Sequence, residues 1–411
     1  MKSPLIVSLI GKTVAKTSRL KGGHGSALPG LVAEKLAPDF LRDVLSQLPR
    51  GVVVISGTNG KTTTTKMVVE LLCETGLKVL TNDSGANMTR GVASAAIRKM
   101  KRGKLNFDIA VLELDEAHAV KFVRQIPTSF SLLLNVFDDQ GDRFGSRENV
   151  AKLLSVVAKN TRKAVVLNRD NAPIAKIAGD LTGQKVTFFG FAPSLAKDFP
   201  DNEPGKKAAS VELAKFTGSN VTYRIDKKNY TAKLKLTGSF NVLNGAAALG
   251  LVREILGEEF DASRMIAALE KVKPAFGRGE TIVINDCPVE MFMVKNPAGF
   301  HLSLRSQYDK SADTMIAINN NIGDGTDPSW LNEVNFRAVR EVKVASGMCA
   351  DVVAKRLKND GVKLEKIEPD LKKAVEILLT GANKKQIFCN YTVTMKIRGL
   401  LEKIADKERM S

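Results

Sequence analysis

Acidic charge, tryptophan, histidine and cysteine are all scarce in this 411-residue chain, which carries one Trp, three His and four Cys. No apolar run approaches the ~20 residues of a membrane-spanning helix, and the short stretch Pro4 to Ile10 is followed by no small-residue cleavage site. Neither a span nor a leader peptide is therefore expected. Cys73, Cys287, Cys349 and Cys389 lie far apart and form no Cys-x-x-Cys pair, which argues against a zinc ribbon or a disulfide framework, and all four are expected to be buried small hydrophobes. His24, His118 and His301 have no ligand spacing, so no zinc is expected. Aromatic residues do not interleave with the basic stretches, and no nucleic-acid partner is expected. No Gly-x-Cys-x-Gly elbow offers a nucleophile for hydrolysing glutamine.

What the chain does have is positive charge, 62 Lys and Arg against 44 Asp and Glu for a net +18, and enough apolar residues, 44%, to fill two sizeable cores. The basic stretches, among them Arg98 to Lys104, Lys206-Lys207 and Lys355 to Lys366, suit an acidic partner such as an anionic membrane surface or a pyrophosphate-bearing substrate. Strand and helix signals alternate from Val52 onward, the pattern of a doubly wound α/β sheet. Residues 1–50 read as a lead-in with a helix from Leu31 into Leu48, and residues 51–272 as a nucleotide-binding domain. Within that domain, 191–236 reads as a β-rich inserted ribbon, and residues 273–411 read as a second α/β domain.

Val52-Val-Val-Ile-Ser-Gly-Thr-Asn-Gly-Lys-Thr-Thr-Thr-Thr65 is the most telling segment. A buried-strand pattern runs into two glycines, a lysine and hydroxyls that open a helix. The spacing is two residues shorter than the usual phosphate loop, whose first glycine would fall at Ile55. Gly57 and Gly60 can take backbone angles that turn successive N–H groups, including those of Thr58 and Asn59, toward phosphate oxygens. The helix beginning near Lys61 then presents its positive end. Lys61 neutralises the β- and γ-phosphates in this reading, Thr62 is a natural magnesium ligand, and Thr63 completes the nucleotide-binding set. In Leu112-Glu-Leu-Asp-Glu-Ala117, either Glu113 or Asp115 is placed at a strand end where it can hold the other side of that magnesium. Asp138, Asp139 and Asp142 follow a further apolar strand and are candidates for orienting substrate or metal, or simply for capping a helix.

Four segments in this order, Gly57-Thr-Asn-Gly-Lys-Thr62, Asp139-Gln-Gly-Asp-Arg-Phe-Gly145, Asn241-Val-Leu-Asn-Gly-Ala-Ala-Ala248 and Phe276-Gly-Arg-Gly-Glu280, resemble the Mur ligase family of ATP-dependent amide-forming enzymes. Ser26 to Gly30, Lys295-Asn-Pro-Ala-Gly299, Asn319 to Asp327 with Ser329-Trp330, and Tyr391 to Arg398 look most like its MurT branch. The resemblance implies a phosphate-loop Mur ligase central domain with a small β-rich insertion, followed by a Rossmann-like α/β C-terminal domain. It also implies ATP and Mg²⁺ as cofactors, a GatD-type glutamine amidotransferase as partner, and amidation of the D-isoglutamate α-carboxyl of lipid II through an acyl-phosphate.

On the same basis, Asn241 and Asn244 are expected beside the adenine, and Arg278 at the phosphates when domains close. An aspartate of the last motif, Asp327 in preference to Asp324, is expected to complete the partner's Cys–His pair. Lys295 and Asn296 stand where peptide-adding relatives usually carry a His-Asn pair, and the ribbon lacks the four cysteines common in that branch. The location implied is the cytoplasm, peripheral to the inner face of the membrane. The rival readings are an amino-acid-adding ligase of the peptide-adding or folylpolyglutamate kind, and a nucleotide-binding scaffold that is not a ligase.

Overall fold

The computed structural model describes residues 4–20, 28–82, 88–137, 146–200, 202–236, 238–274, 278–321 and 324–410. The chain divides into two compact units, Met1–Val272 and Lys273–Ser411.

The first unit is built on a nine-stranded sheet of order β2-β3-β1-β4-β5-β6-β7-β8-β9. Its strands are β1 Val52–Ser56, β2 Val79–Leu80, β3 Ile109–Glu113, β4 Thr128–Leu133, β5 Thr161–Asn168, β6 Lys185–Phe191, β7 Val211–Thr217, β8 Asn220–Ile225 and β9 Lys228–Lys233. Pairing is parallel from β2 through β7 and antiparallel in the β7-β8-β9 ribbon. Val53, Ile55, Val111 and Leu132 pack on one face with the helices Lys61–Glu74 and Ser239–Leu256. Val52, Val54, Leu112 and Leu133 pack on the other with Phe40–Leu45 and Glu116–Gln125. Both faces are covered, so β1 and β3 are buried along their whole length and apolar up to their last residues, Ser56 and Glu113; each large apolar side chain contributes roughly 1.5–3 kcal/mol relative to exposure. β1 lies between β3 and β4, with β2 beyond β3, so the strand order reverses beside β1 and a crevice opens at its carboxyl end.

The ribbon is not a separate body but an extension of the sheet, since β7 pairs with β6. Packing holds it. Phe191 and Phe199 stack with centroids 4.4 Å apart, Phe240 meets Phe199 edge-on at 5.9 Å, and the fully buried Tyr223 donates its hydroxyl to Val242 O at 2.7 Å. Gly245 makes that last contact possible, because a Cβ there would fall 2.2 Å from the Tyr223 hydroxyl.

The second unit carries a six-stranded sheet of order β10-β11-β15-β12-β13-β14, from β10 Arg278–Ile284, β11 Cys287–Met293, β12 Asp313–Ala317, β13 Glu341–Ser346, β14 Lys363–Glu368 and β15 Lys385–Cys389. Only the β10-β11 hairpin is antiparallel. The chain runs outward from β12 through β14 and returns to place β15 on the other side of β12, so the order reverses there too.

Two expectations need correction, on the first helix and on the cysteines. The helix read over 31–48 is two helices, Leu28–Leu36 and Phe40–Leu45, because Pro38 has no N–H to continue the first. Cys349 and Cys389 are buried, but Cys73 is exposed on the last turn of the Lys61–Glu74 helix and Cys287 is half-buried in the β10-β11 hairpin, positions where the thiol is incidental to the core. The lysine-rich stretch ending at Lys366 includes an edge strand, β14, whose mostly solvent-facing side chains hide the strand pattern.

Candidate functional site: a phosphate loop at the β1 switch point

β1 ends at Ser56 and the Lys61–Glu74 helix begins five residues later, so residues 57–60 form the whole turn. Gly57 has φ +136° and a Cβ there would sit 3.0 Å from the backbone of Asn135. Gly60 has φ +88° and a Cβ there would sit 2.5 Å from Asn244 Oδ1. Glycine is thus required twice at each position, by backbone angle and by space. The helix starts without a side-chain cap, leaving its first-turn N–H groups available to an anion.

Asn135, just past β4, fixes the loop: its carbonyl accepts from Thr58 N at 2.9 Å, its Oδ1 accepts from Asn59 N at 2.8 Å, and its Nδ2 donates to Asn59 O at 3.0 Å. Asn244, on the Ser239–Leu256 helix, backs the loop at Gly60.

Lys61 folds over the turn and donates to Gly57 O at 2.5 Å and Thr58 O at 3.2 Å. Two carboxylates face its ammonium, Asp115 at 3.4 Å and Glu116 at 4.0 Å. Glu116 is buried and its Oε1 has no hydrogen-bond partner, so two carboxyl groups share the one ammonium of Lys61. Thr62 Oγ1 donates to Glu113 Oε1 at 2.9 Å, and Glu113 is itself buried at the end of β3. Asn82, past β2, locks that strand end by donating to Glu113 O and accepting from Glu113 N. A hydroxyl and a carboxylate this close suit a magnesium ion that keeps its remaining positions for water and phosphate oxygens. Among the described residues no cluster of three or more His, Cys, Asp or Glu competes with this site.

In the second unit, the loop after β12 meets the start of the Tyr391–Met410 helix. Asp324 accepts from Thr392 N at 2.8 Å and from the Thr392 hydroxyl, while Asn321 and Asn319 donate to that same hydroxyl at 3.0 and 3.2 Å. Just past β12 and β15, the Asn390 side chain accepts from Asn319 N at 3.1 Å and donates to Asn319 O at 2.6 Å. Asp327 is exposed and, among the described residues, bonded locally, accepting from Ser329 N at 2.9 Å and Ser329 Oγ at 2.7 Å, which hold its carboxyl below the usual range. Burial pushes the neighbouring Cys389 thiol up to about 12, against a hydrogen bond with Thr394, and the Asp324 charge adds to the rise. That thiol is no nucleophile at neutral pH.

The Mur ligase middle-domain model matches residues 55–252, and the MurT ligase C-terminal model matches 293–394. The chain belongs to the Mur ligase family. It is 28% identical to the lipid II isoglutaminyl synthase (glutamine-hydrolyzing) subunit MurT of Streptococcus pneumoniae, over 92% of this chain and 93% of that one. It is 29% identical to the subunit of the same name from Staphylococcus aureus, over 93% and 94%. Among solved structures it is similar to MurF from Acinetobacter baumannii, with TM-score 0.71 and 16% identity over 92% of this chain and 81% of that one. It is also similar to MurF ligase from Thermotoga maritima in complex with ADP, with TM-score 0.66 and 18% identity over 92% and 85%. At these identities the structures speak for the fold.

For this Mur ligase the first unit brings together Gly57, Thr58, Asn59, Gly60, Lys61, Thr62, Glu113, Asp115 and Asn244. Thr63 is buried one position further along the helix. Asn241 sits in the first turn of its helix, three residues before Asn244. Asp138, Asp139 and Asp142 lie outside the described residues, as does the side chain of Arg278, whose backbone opens β10. Asn296 accepts from Gly299 N at 2.8 Å and so caps the Pro297–Gln307 helix. Sequence reasoning missed Asn135, Asn82 and Glu116. Each is a polar residue at or just beyond the carboxyl end of a parallel strand, and that placement was the available signal.

Proposed function

We propose that this Mur ligase is the ATP-using subunit of a lipid II isoglutaminyl synthase, which converts the D-isoglutamate α-carboxyl of the stem peptide to D-isoglutamine. The reading is carried by the coexistence in one chain of the phosphate loop and a C-terminal region that the MurT ligase model matches. ATP is taken as the phosphoryl donor. The substrate carboxylate attacks the γ-phosphorus, ADP leaves with the bridging electron pair, and ammonia then displaces phosphate from the acyl carbon, giving the amide and a proton.

Such chemistry asks for charge neutralisation rather than a strong base. Lys61 supplies it by exchanging its contacts with Gly57 O and Thr58 O for phosphate oxygens, with Asp115 and Glu116 holding the ammonium in place. Thr62 and Glu113 would hold magnesium, which supplies further neutralisation when bound. Asn241, Asn244 and Arg278 are assigned to the nucleotide on the family pattern. Ammonia is taken from a GatD-type glutaminase, with Asp327 serving that partner, since it is the exposed aspartate of its loop while Asp324 is consumed by Thr392. The site of action is proposed to be the cytoplasmic face of the membrane.

The test is incubation of the chain and its glutaminase with lipid II, glutamine, ATP and Mg²⁺, followed by mass spectrometry. A loss of ~1 Da from the stem peptide is the carboxyl-to-amide change expected of the acyl-phosphate route. ATP consumption with an unchanged stem, or with a larger gain in mass, overturns the reading in favour of another acceptor or an amino-acid-adding ligase.

A further inference from the structure

Residues 4–20 and 89–107 contain nine Lys and Arg and not one Asp or Glu, and the two segments lie against each other in the first unit. The Pro4–Leu20 helix buries Val7, Ser8 and Gly11, and Gly11 lies against the Thr89–Lys99 helix. The seat is close, since a Cβ at Gly11 would fall 2.9 Å from Ile97. Lys12 Nζ donates to Met100 O at 2.6 Å and pins the other edge. With that face committed, the same helix turns Leu5, Ile6 and Leu9 to solvent, 43%, 47% and 58% exposed. A helix that buries small and apolar residues inward and still shows three large apolar side chains outward has an exposed apolar face.

A basic turn rims this face. Lys101 and Lys104 are paired through their backbones, Arg102 at the tip has φ +48°, and all three side chains are exposed. The turn abuts the helix start, because a Cβ at Gly103 would lie 3.0 Å from Leu5 Cβ. Large aliphatic side chains beside clustered cations, with no carboxylate in either segment, match an anionic bilayer surface: the leucines enter the headgroup boundary and the cations meet lipid phosphates. A protein partner with an apolar patch would satisfy Leu5, Ile6 and Leu9 but gives no reason for three exposed cations, Lys101, Arg102 and Lys104, in one turn beside them.

We propose that Leu5, Ile6 and Leu9 of the first helix, with Lys101, Arg102 and Lys104, form a docking surface for an anionic membrane. The inference deepens the proposed function, because a lipid-anchored substrate must be met at a bilayer. Docking is reversible, since one short apolar stripe and three cations fall well below the anchoring of a spanning helix.

The experiment is flotation of the full chain with vesicles of phosphatidylglycerol in phosphatidylcholine, free of lipid II, at low and high salt. Wild type is expected to float with anionic vesicles, less so at high salt, and hardly at all with phosphatidylcholine alone. Leu5→Asp/Leu9→Asp and Lys101→Glu/Arg102→Glu should each weaken binding by about tenfold or more, with melting temperature and ATP binding unchanged. Absence of vesicle binding in wild type, or binding that neither variant alters, overturns the proposal. So does a wild-type dimer that Leu5→Asp/Leu9→Asp dissociates while vesicle binding persists, which would assign the face to a second copy. Amidation of detergent-solubilised lipid II separates the two readings. If it proceeds at the wild-type rate in both variants, the surface and the ligase site are independent. If no protein amidates while wild type still floats, the functional reading fails and the docking surface stands.

Discussion

The loop after β1 and the loop after β12 leave equivalent places in their sheets, the carboxyl end of a parallel strand where strand order reverses, yet they are held by different means. The first is fixed through its backbone: two glycines at positive φ, wedged against Asn135 and Asn244, with Asn135 bonded to the loop three times. The second is fixed through side chains, with Asp324, Asn319 and Asn321 converging on Thr392. A loop held by its backbone leaves its N–H groups and one lysine for a ligand, whereas a loop held by side chains consumes most of its polar groups and leaves Asp327 exposed. The first arrangement suits a nucleotide that must be gripped by many donors. The second suits a single carboxylate displayed to a partner.

The largest effect should come from emptying the first loop of its charge. Lys61→Ala is expected to lower ATP-dependent amidation on the order of a hundredfold to a thousandfold. It also leaves Asp115 and Glu116 facing each other without a cation, so the melting temperature should be read alongside turnover. Wild-type turnover in a folded variant would remove Lys61 from the mechanism. Gly60→Ala probes the backbone instead: φ +88° and the clash with Asn244 Oδ1 should cost about 1–3 kcal/mol. ATP affinity measured by calorimetry should fall with the loop's geometry. Asn244→Ala on top of Gly60→Ala removes the clash but not the strained φ, so partial recovery would apportion the two.

In the second loop the two aspartates should separate cleanly. Asp324→Ala strips two hydrogen bonds from Thr392 and should lower unfolding stability by about 1–3 kcal/mol. Asp327→Ala removes bonds, among the described residues, to Ser329 alone and should leave the unfolding midpoint where it was. On the proposed function it should nevertheless abolish amidation driven by glutamine while leaving amidation driven by added ammonium intact. Equal stability losses from the two variants would contradict the division between a structural and a displayed carboxylate.

The same contrast explains what could be read from sequence. The glycines, Lys61 and Thr62 were legible because a phosphate loop declares itself in consecutive residues, and the strand-helix alternation was legible because both sheets are covered on both faces. Asn135 and Asn82 were not, since each acts on a loop dozens of residues away and only the order of strands brings them there. Glu116 was passed over beside Glu113 and Asp115 because three acidic residues in four look alike until burial separates them. β14 is hidden for the opposite reason: an edge strand bearing lysines and glutamates has no apolar alternation to see. The break at Pro38 was visible in principle and was overridden by the apolar spacing on either side of it.

The smallest expected effect on ligase turnover lies at the amino ends of β12 and β15, where Lys385, fully buried, donates to Asp313 at 2.6 Å and to the carbonyls of Thr380 and Gly381. Lys343 reaches the same aspartate at 2.8 Å and Asn383 at 3.0 Å. Burial alone would raise the Asp313 carboxyl, but the bonds from Lys343, Lys385 and Asn383 outweigh it and bring it to about 2. A carboxyl whose folded pKa lies below its unfolded value of about 4 stabilises the fold above that value and loses the contribution as pH falls toward 2.

The contribution is on the order of 1–2 kcal/mol, discounted for the part of Asp313 that water reaches. Denaturant unfolding of the second unit's signal between pH 5 and pH 2 should therefore slope more steeply in wild type than in Asp313→Asn. The variant starts lower, because Lys385 is left buried without its counter-charge. Parallel slopes would mean that the carbonyls of Thr380 and Gly381 alone suffice to hold the buried lysine and that Asp313 contributes nothing to the acid limb. The phosphate loop belongs to the other unit, so ATP binding at neutral pH should not distinguish the two proteins, which makes it the control that the substitution has stayed local.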